Sequence, residues 1–168
     1  MAREIPLTQG KVAIVDDKDY DLVKDYKWRL HTGGYARTTV YGEEGVERKD
    51  IYMHRLVLSA KNGTLVDHVN GDKLDNRREN LRAATTSQNS ANSPRKRCNT
   101  SGYKGVTFHA HTGKWRAQIM HNRKYLHIGL YKTREDAAHA YDKKARELYG
   151  EFAQVNFYEM KEGSVSHI

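Results

Sequence analysis

Four polar side chains between positions 67 and 89 have the types and spacing of a hydrolytic centre: Asp67, His68, Asn80 and Asn89. Asp67 and His68 follow two apolar residues, Leu65 and Val66, and precede Asn70-Gly71, a tight-turn signal. Arg78-Glu79-Asn80-Leu81-Arg82 reads as helix, and Asn89 lies about two helical turns beyond Leu81. A strand, a loop and a helix then bring a carboxylate, an imidazole and a carboxamide toward one place. Such a set holds a hard divalent cation through oxygens and deprotonates a water. Adjacent side chains on a regular strand point to opposite faces, so Asp67 and His68 converge only where the strand ends or bulges. The ordinary alternative for Asp-His before Asn-Gly is a plain hairpin.

The elements that must position this set begin with a strand-rich lead-in over residues 1–60. Lys11 to Val15 forms a short apolar strand, and Asp19 to Tyr26 allows one or two helical turns. Trp28 to His31, Tyr35 to Tyr41 and Lys49 to Met53 read as strands separated by Gly33-Gly34 and Glu43-Glu44-Gly45. His54 to Ala60 turns into a short helix, and His54 either caps it or touches phosphate. Trp28 and the tyrosines of this region read as core.

Bulk properties narrow the class of function. The chain has 168 residues, 38% hydrophobic content and 3 Phe, which suits small modules better than one large core. No apolar run is long enough for a membrane span, and the first ten residues lack a secretory signal, so an intracellular, cytoplasmic protein is expected. The single cysteine, Cys98, excludes an internal disulfide and a multi-cysteine zinc site, and reads as an incidental linker residue. The net charge is +8. Its excess sits in residues 91–150, which carry thirteen Lys and Arg against four acids. A concentrated basic segment is the footprint of a polyanion partner.

Residues 93–101 read as a basic linker, with Arg95-Lys96-Arg97 placed to touch phosphate; 159–168 is a tail. Residues 102–158 predict a second module. Tyr103 to Phe108, Lys114 to Met120 and Tyr125 to Tyr131 form three strands. Trp115, Ala117 and Ile119 alternate with Lys114, Arg116, Gln118 and Met120. In the third strand Leu126, Ile128 and Leu130 alternate with Tyr125, His127 and Gly129. Thr133 then offers an N-cap with Glu135 and Asp136 in the first turn. Ala137, Tyr141, Ala145 and Leu148 make the apolar stripe of a helix ended by Gly150. The helix covers one sheet face. The other, with Arg116, Gln118, Met120, Tyr125 and His127, stays free to enter a DNA major groove. Trp115 reads as core. His109, His111, His121 and His127 read as strand residues facing DNA rather than as a metal cluster.

Two family resemblances attach to these residues. Val66-Asp67-His68, Asn80-Leu81-Arg82 and Asn89, preceded by His54-Arg55-Leu56-Val57, resemble the HNH nuclease motif of phage and intron-encoded homing endonucleases. Tyr103-Lys104-Gly105-Val106, Lys114-Trp115, Ile128-Gly129, Ala137 to Asp142 and Asn156-Phe157 resemble the plant ethylene-response-factor (apetala-type) DNA-binding domain. Together they cover about two-thirds of the chain.

The resemblance implies an α+β protein: a ββα-metal HNH core over 61–92 and a small three-stranded antiparallel sheet packed on one helix. It implies that His68 is the general base, that Asn80 braces the loop carrying it, and that Asp67 and Asn89 hold one divalent cation, magnesium first and manganese as the alternative. Asn89 at the final motif position, where a His is usual, suits an oxygen-preferring metal and disfavours structural zinc. Where the plant domains place several arginines, this chain has Thr107, His109, Met120 and Tyr125, so their target does not transfer; Lys104 and Lys114 complete the expected contact set. The expected partner is double-stranded DNA and the expected state a monomer, phage-encoded and acting in a bacterial host. The competing class is a non-catalytic DNA-binding transcriptional regulator. An RNA-binding protein is the third, weakened because the aromatics are assigned to cores.

Overall fold

The computed structural model describes residues 1–42, 47–94 and 98–158; the expected contacts at Arg95, Lys96 and Arg97 fall outside them. The described chain is α+β, with small antiparallel sheets and short helices, and divides into two compact units, Met1–Asn89 and Ser90 onward.

In the first unit β1 (Ala2–Pro6) pairs antiparallel with β2 (Val12–Asp16). A short helix α1 (Tyr20–Val23) leads to a three-stranded sheet of β3 (Arg29–Leu30), β4 (Ala36–Tyr41) and β5 (Arg48–Tyr52), in that spatial order. Then come α2 (Met53–Val57), the antiparallel pair β6 (Leu65–His68) and β7 (Leu81–Ala84), and the start of α3 (Thr86–Asn92), whose last three residues belong to the second unit. Alternating strand residues turn one face inward. Ile5, Ala13, Val15, Ala36 and Leu81 close with Val23, Trp28, Met53 and Val57 into one core. Trp28 also satisfies its indole by donating to Val23 O at 2.8 Å.

Leu81 and Arg82 correct the helix expected over 78–82. Arg78–Asn80 is a single 3-10 turn, and the chain then extends as β7, with His68 opposite Leu81 and Asp67 opposite Arg82. Burying Leu81 in the core outweighs the helical pattern of the preceding charged residues. The helix starts later, at a capping box: Gln88 N donates to Thr85 Oγ1 at 3.2 Å and Thr85 N to Gln88 Oε1 at 2.8 Å.

The second unit joins β8 (Val106–His109), β9 (Lys114–His121) and β10 (Lys124–Tyr131) in the order β10-β9-β8. Helix α4 (Arg134–Tyr149) packs on them; Thr133 Oγ1 accepts from Asp136 N at 3.1 Å, and Gly150 ends the helix at φ +52°. Val106 and Ala117 meet Ala137 and Ala138, and Ile119 meets Tyr141, Ala145 and Tyr149. The approach is closest at Gly105, φ +75°, where a Cβ would lie 2.0 Å from the Tyr141 ring.

A bulge between His127 and Gly129 corrects the expected alternation of β10. Beyond it Leu130 stands opposite Arg116 and Tyr131 opposite Trp115, so Leu130 joins the outer face and Tyr131 packs against the core.

Candidate functional site

His68 is the last residue of β6, and the loop that follows is tied down at nearly every residue. Gly71 N donates to His68 O at 2.9 Å, closing the Asn70-Gly71 turn at φ +77°. Asn80, 5% exposed, reaches back into this loop: its Oδ1 accepts from Asn70 N at 2.9 Å and its Nδ2 donates to Asp75 O at 2.8 Å. Asp72 N donates to Asn70 Oδ1 and Leu74 N to Asp72 Oδ1, and Arg77 clamps Asp75 through Nε at 2.8 Å and Nη2 at 2.7 Å. The Arg77 guanidinium, first among several donors, holds the Asp75 carboxyl below the usual carboxylate range. The loop is stitched to the lead-in as well. Ile14 N donates to Leu74 O at 2.8 Å, Asn76 N to Ile14 O at 2.7 Å, and the Arg78 guanidinium grips the buried Asp19.

His68 itself is 5% exposed and sits among rings. Its imidazole lies 5.2 Å centroid to centroid from His54 and 5.9 Å from Tyr35; His54 lies 5.0 Å from Tyr35 and 5.6 Å from Tyr52, and Tyr52 lies 5.8 Å from His31. Burial lowers the His68 pKa from its ordinary value, opposed by the Asn76 side chain and the carboxylates of Asp67, Asp72 and Asp75. Burial, with His68 and Arg55 adding to it, pushes His54 down to about 3. Burial thus favours the neutral form of both rings. His54 neither caps α2 nor faces solvent. Its Nδ1 is buried without a hydrogen-bond partner among the described residues.

Asp67, also 5% exposed, meets Arg82 across the β6–β7 pair, with Arg82 Nε and Nη2 each 2.9 Å from Oδ2. Asn89, half-buried, lies on the first turns of α3, where its N–H donates to Thr85 O at 2.9 Å. Order β6, β7, α3 thus carries Asp67 and His68 on the first strand, Asn80 just before the second, and Asn89 on the helix.

The second unit presents a different kind of site. Register puts Thr107 opposite Arg116, His109 opposite Lys114, Tyr125 opposite Met120 and His127 opposite Gln118, all on the sheet face away from α4. Arg116 Nε and Thr107 Oγ1 are buried there without a hydrogen-bond partner among the described residues. Two expected contacts lie elsewhere. The Lys104 ammonium donates to Ala91 O and, at 2.6 Å, to Ser93 O, so it ties the end of α3; burial lowers its pKa to about 8. His121 packs on Tyr149, on the α4 side.

Comparison with known proteins bears on both sites. Residues 51–91 match the family model of the HNH endonuclease, and residues 101–151 that of the AP2 domain. Over 150 residues the chain is 33% identical to an uncharacterized HNH endonuclease of Acanthamoeba polyphaga mimivirus, covering 88% of this chain and 76% of that protein. The chain belongs to the HNH endonuclease family. Protein 3.8 of Escherichia phage T7 is 32% identical to this HNH endonuclease over 106 residues, 60% of this chain and 87% of its own. An ethylene-responsive transcription factor of Arabidopsis thaliana is 48% identical over 59 residues, 34% of this chain and 14% of the factor. The HNH endonuclease region is thus joined to an AP2 domain, the first supporting nuclease activity and the second DNA binding.

HNH nucleases generally use a divalent metal, and the donors of this HNH region fit one of a particular kind. Among the described residues no three His, Cys, Asp or Glu group as a metal cluster, so a Cys/His zinc cage does not fit. A carboxylate on β6 and a carboxamide on α3 are donor types that a hard, oxygen-ligated cation takes. Such a cation would share Asp67 with Arg82. Among the described residues no helix is long and apolar enough to cross a membrane.

Sequence reading missed Tyr35, Tyr52 and Arg82. The tyrosines are part of the His68 cluster rather than the hydrophobic core, and the usable signal was strand alternation. Arg37, Thr39 and Tyr41 alternate with buried Ala36 and Thr38, which leaves Tyr52, opposite Arg37, on the polar face. Arg82 was hidden by the helical reading; only the β6–β7 register sets it opposite Asp67.

Proposed function

We propose that this chain is a metal-dependent DNA endonuclease in which a ββα-metal core over 61–92 hydrolyses phosphodiester bonds and residues 102–158 hold the duplex. The observation that carries the reading is the buried His68 at the end of β6, on a loop braced by Asn80. A neutral imidazole takes a proton from water; the resulting hydroxide oxygen forms a bond to phosphorus, the bond to the 3′ oxygen breaks, and the leaving oxygen is protonated by solvent. Asn80 acts as a positioning residue through the backbone of Asn70 and Asp75. Asp67 and Asn89 would hold the cation, magnesium or manganese, which supplies positive charge near the non-bridging and leaving oxygens. The AP2 outer face, with Thr107, His109, Lys114, Arg116, Gln118, Met120, Tyr125 and His127, reads the target, and Arg95, Lys96 and Arg97 in the 93–101 linker contact phosphate. One such centre cuts one strand per encounter, so a monomer nicks double-stranded DNA. The phage and giant-virus relatives support a homing-type enzyme acting inside a host cell.

The test is cleavage of supercoiled plasmid carrying the gene's own flanking DNA, with and without magnesium. His68→Ala should lose about 10²–10⁴-fold in nicking rate while binding the same DNA. Chelation should silence wild type. Salt-sensitive binding without any cleavage on such DNA would instead favour the non-catalytic regulator.

A further inference from the structure

The outer face of the β3–β4–β5 sheet carries basic side chains that the proposed chemistry leaves unused. Register sets Arg29 opposite Arg37, Arg37 opposite Tyr52, Thr39 opposite Asp50 and Tyr41 opposite Arg48. The alternate residues Leu30, Ala36 and Ile51 turn to the hydrophobic core, so the basic residues share the solvent side. Lys27, Arg29, Arg37, Thr39, Tyr41 and Arg48 line a groove of about 280 Å³ there. Arg29 and Lys27 are exposed, and Tyr41 is 66% exposed. Asp50 is the carboxylate of this face and is already engaged, by Thr39 Oγ1 at 2.7 Å, Arg37 Nη1 at 3.0 Å and Arg48 Nη2 at 3.8 Å. Among the described residues, four cations, Lys27, Arg29, Arg37 and Arg48, face that carboxylate in the groove.

The face does not end in open solvent at its other end. Tyr52, opposite Arg37, has its ring 5.6 Å from His54, and His54 lies 5.2 Å from His68. From Arg48 to Tyr52 the strand covers about 14 Å at roughly 3.4 Å per residue, the axial length of about four base pairs. We propose that this face is a second DNA track, gripping the phosphate backbone beside the phosphate presented to His68. An extended groove lined by separate guanidiniums suits a polymer of phosphates better than one small anion. The inference rests on the nuclease reading above and adds a partner surface within the nuclease unit itself.

The test uses the full chain in a His68→Ala background, so that DNA stays intact, with and without Arg29→Glu and Arg48→Glu together. Two phosphate contacts predict that the log–log salt slope of binding falls by about two. Hydroxyl-radical footprints should lose protection over about four base pairs on one flank and keep the AP2 footprint. An unchanged slope and footprint overturns the track. If the reversal variant loses its thermal transition, Arg29→Gln with Arg48→Gln serves, with a slope change of the same sign. Inorganic phosphate is the control ligand: binding of phosphate lost in the variant, with an unchanged DNA footprint, marks a small-anion site and also overturns the track. Wild-type plasmid cleavage is scored in parallel. A shortened footprint with no wild-type cleavage sinks the nuclease reading but leaves the track standing; cleavage with an unchanged footprint does the reverse.

Discussion

In the HNH region Asp67, His68 and Asn80 are each 5% exposed, and Asp67 and Asn80 are tied by charged or backbone partners; in the AP2 domain Met120 is 42% exposed and Tyr125 60%. The first unit sets its buried polar residues around a braced loop, and the second leaves Met120 and Tyr125 exposed on its outer sheet face. The contrast suits the two tasks proposed for these units. A general base must be held in one geometry and kept neutral, which burial and hydrogen bonds accomplish. A groove reader must keep its side chains accessible, so its rigidity has to come from the hidden face and its connections. Asp142 shows how: 1% exposed, it accepts from Asn156 N at 2.8 Å, Asn156 Nδ2 at 2.9 Å and Phe157 N at 2.8 Å, locking the closing segment onto α4.

The sharpest way to break the comparison is to damage the hidden face of the AP2 domain. Gly105→Ala forces a Cβ onto the Tyr141 ring and within 2.8 Å of Gln118 O, at φ +75°. Strain and overpacking together cost on the order of 3 kcal/mol or more. Hydrogen exchange should show lost protection over 106–149 and retained protection over 12–84, with DNA binding abolished. Equal loss in both regions would mean that the units do not hold their folds separately.

Asn80→Ala attacks the corresponding device in the HNH region. It removes the acceptor of the Asn70 amide and leaves the buried Asp75 carbonyl without its Asn80 partner, costing about 1–3 kcal/mol. Nicking should fall far more than binding, and the Asn70 amide should lose exchange protection. Asn80→Asp keeps the acceptor to Asn70 N and should fall between. Equal losses in nicking and binding would remove the distinction between braced and open sites.

How much of this was legible beforehand depends on which physics governed each stretch. The AP2 strands and helix were readable because propensity, alternation and capping all agree there: Thr133 caps and Gly150 ends α4. The β10 bulge was not, since one extra residue leaves no local mark and silently moves Leu130 to the other face. In the HNH region the motif residues stood out, yet the 78–82 stretch misled. Its charged residues suit a helix, and only the long-range pairing of Leu81 with His68 makes it a strand. Thr85-x-x-Gln88 is a readable helix start, but a helix begun at Arg78 runs straight through it and hides it. Lys104 looked like one more phosphate contact; its carbonyl partners at 91 and 93 are a tertiary fact. The neutral state of His54 likewise comes from packing between Tyr35 and Tyr52.

A pH-dependent effect tests that packing. His54 has a folded pKa of about 3 against an ordinary 6.5, so its contribution to stability is complete above pH 6.5 and is lost as pH falls from 6.5 toward 3. Over that window the unfolded state binds the extra proton, and stability should fall by roughly 1.4 kcal/mol per pH unit from this group. His54→Gln should flatten the denaturation-versus-pH curve there. A variant curve parallel to wild type would place His54 in solvent, like the side chains of the AP2 face.

The smallest effect sets two arginines side by side. Arg116 lies on the open face with its Nε unpartnered among the described residues, whereas Arg82 lies against Asp67 with a side chain 13% exposed. Arg116→Gln should leave the unfolding midpoint nearly unchanged and reduce the salt slope of DNA binding by about one, as loss of a single phosphate or base-edge cation does. Arg82→Gln should lower the midpoint, because it strands a buried carboxylate, and leave the slope alone. Titrating both variants over the same salt range decides the matter. A slope lost at Arg82 and kept at Arg116 would invert the assignment, making the HNH strand pair the open surface and the AP2 sheet the closed one.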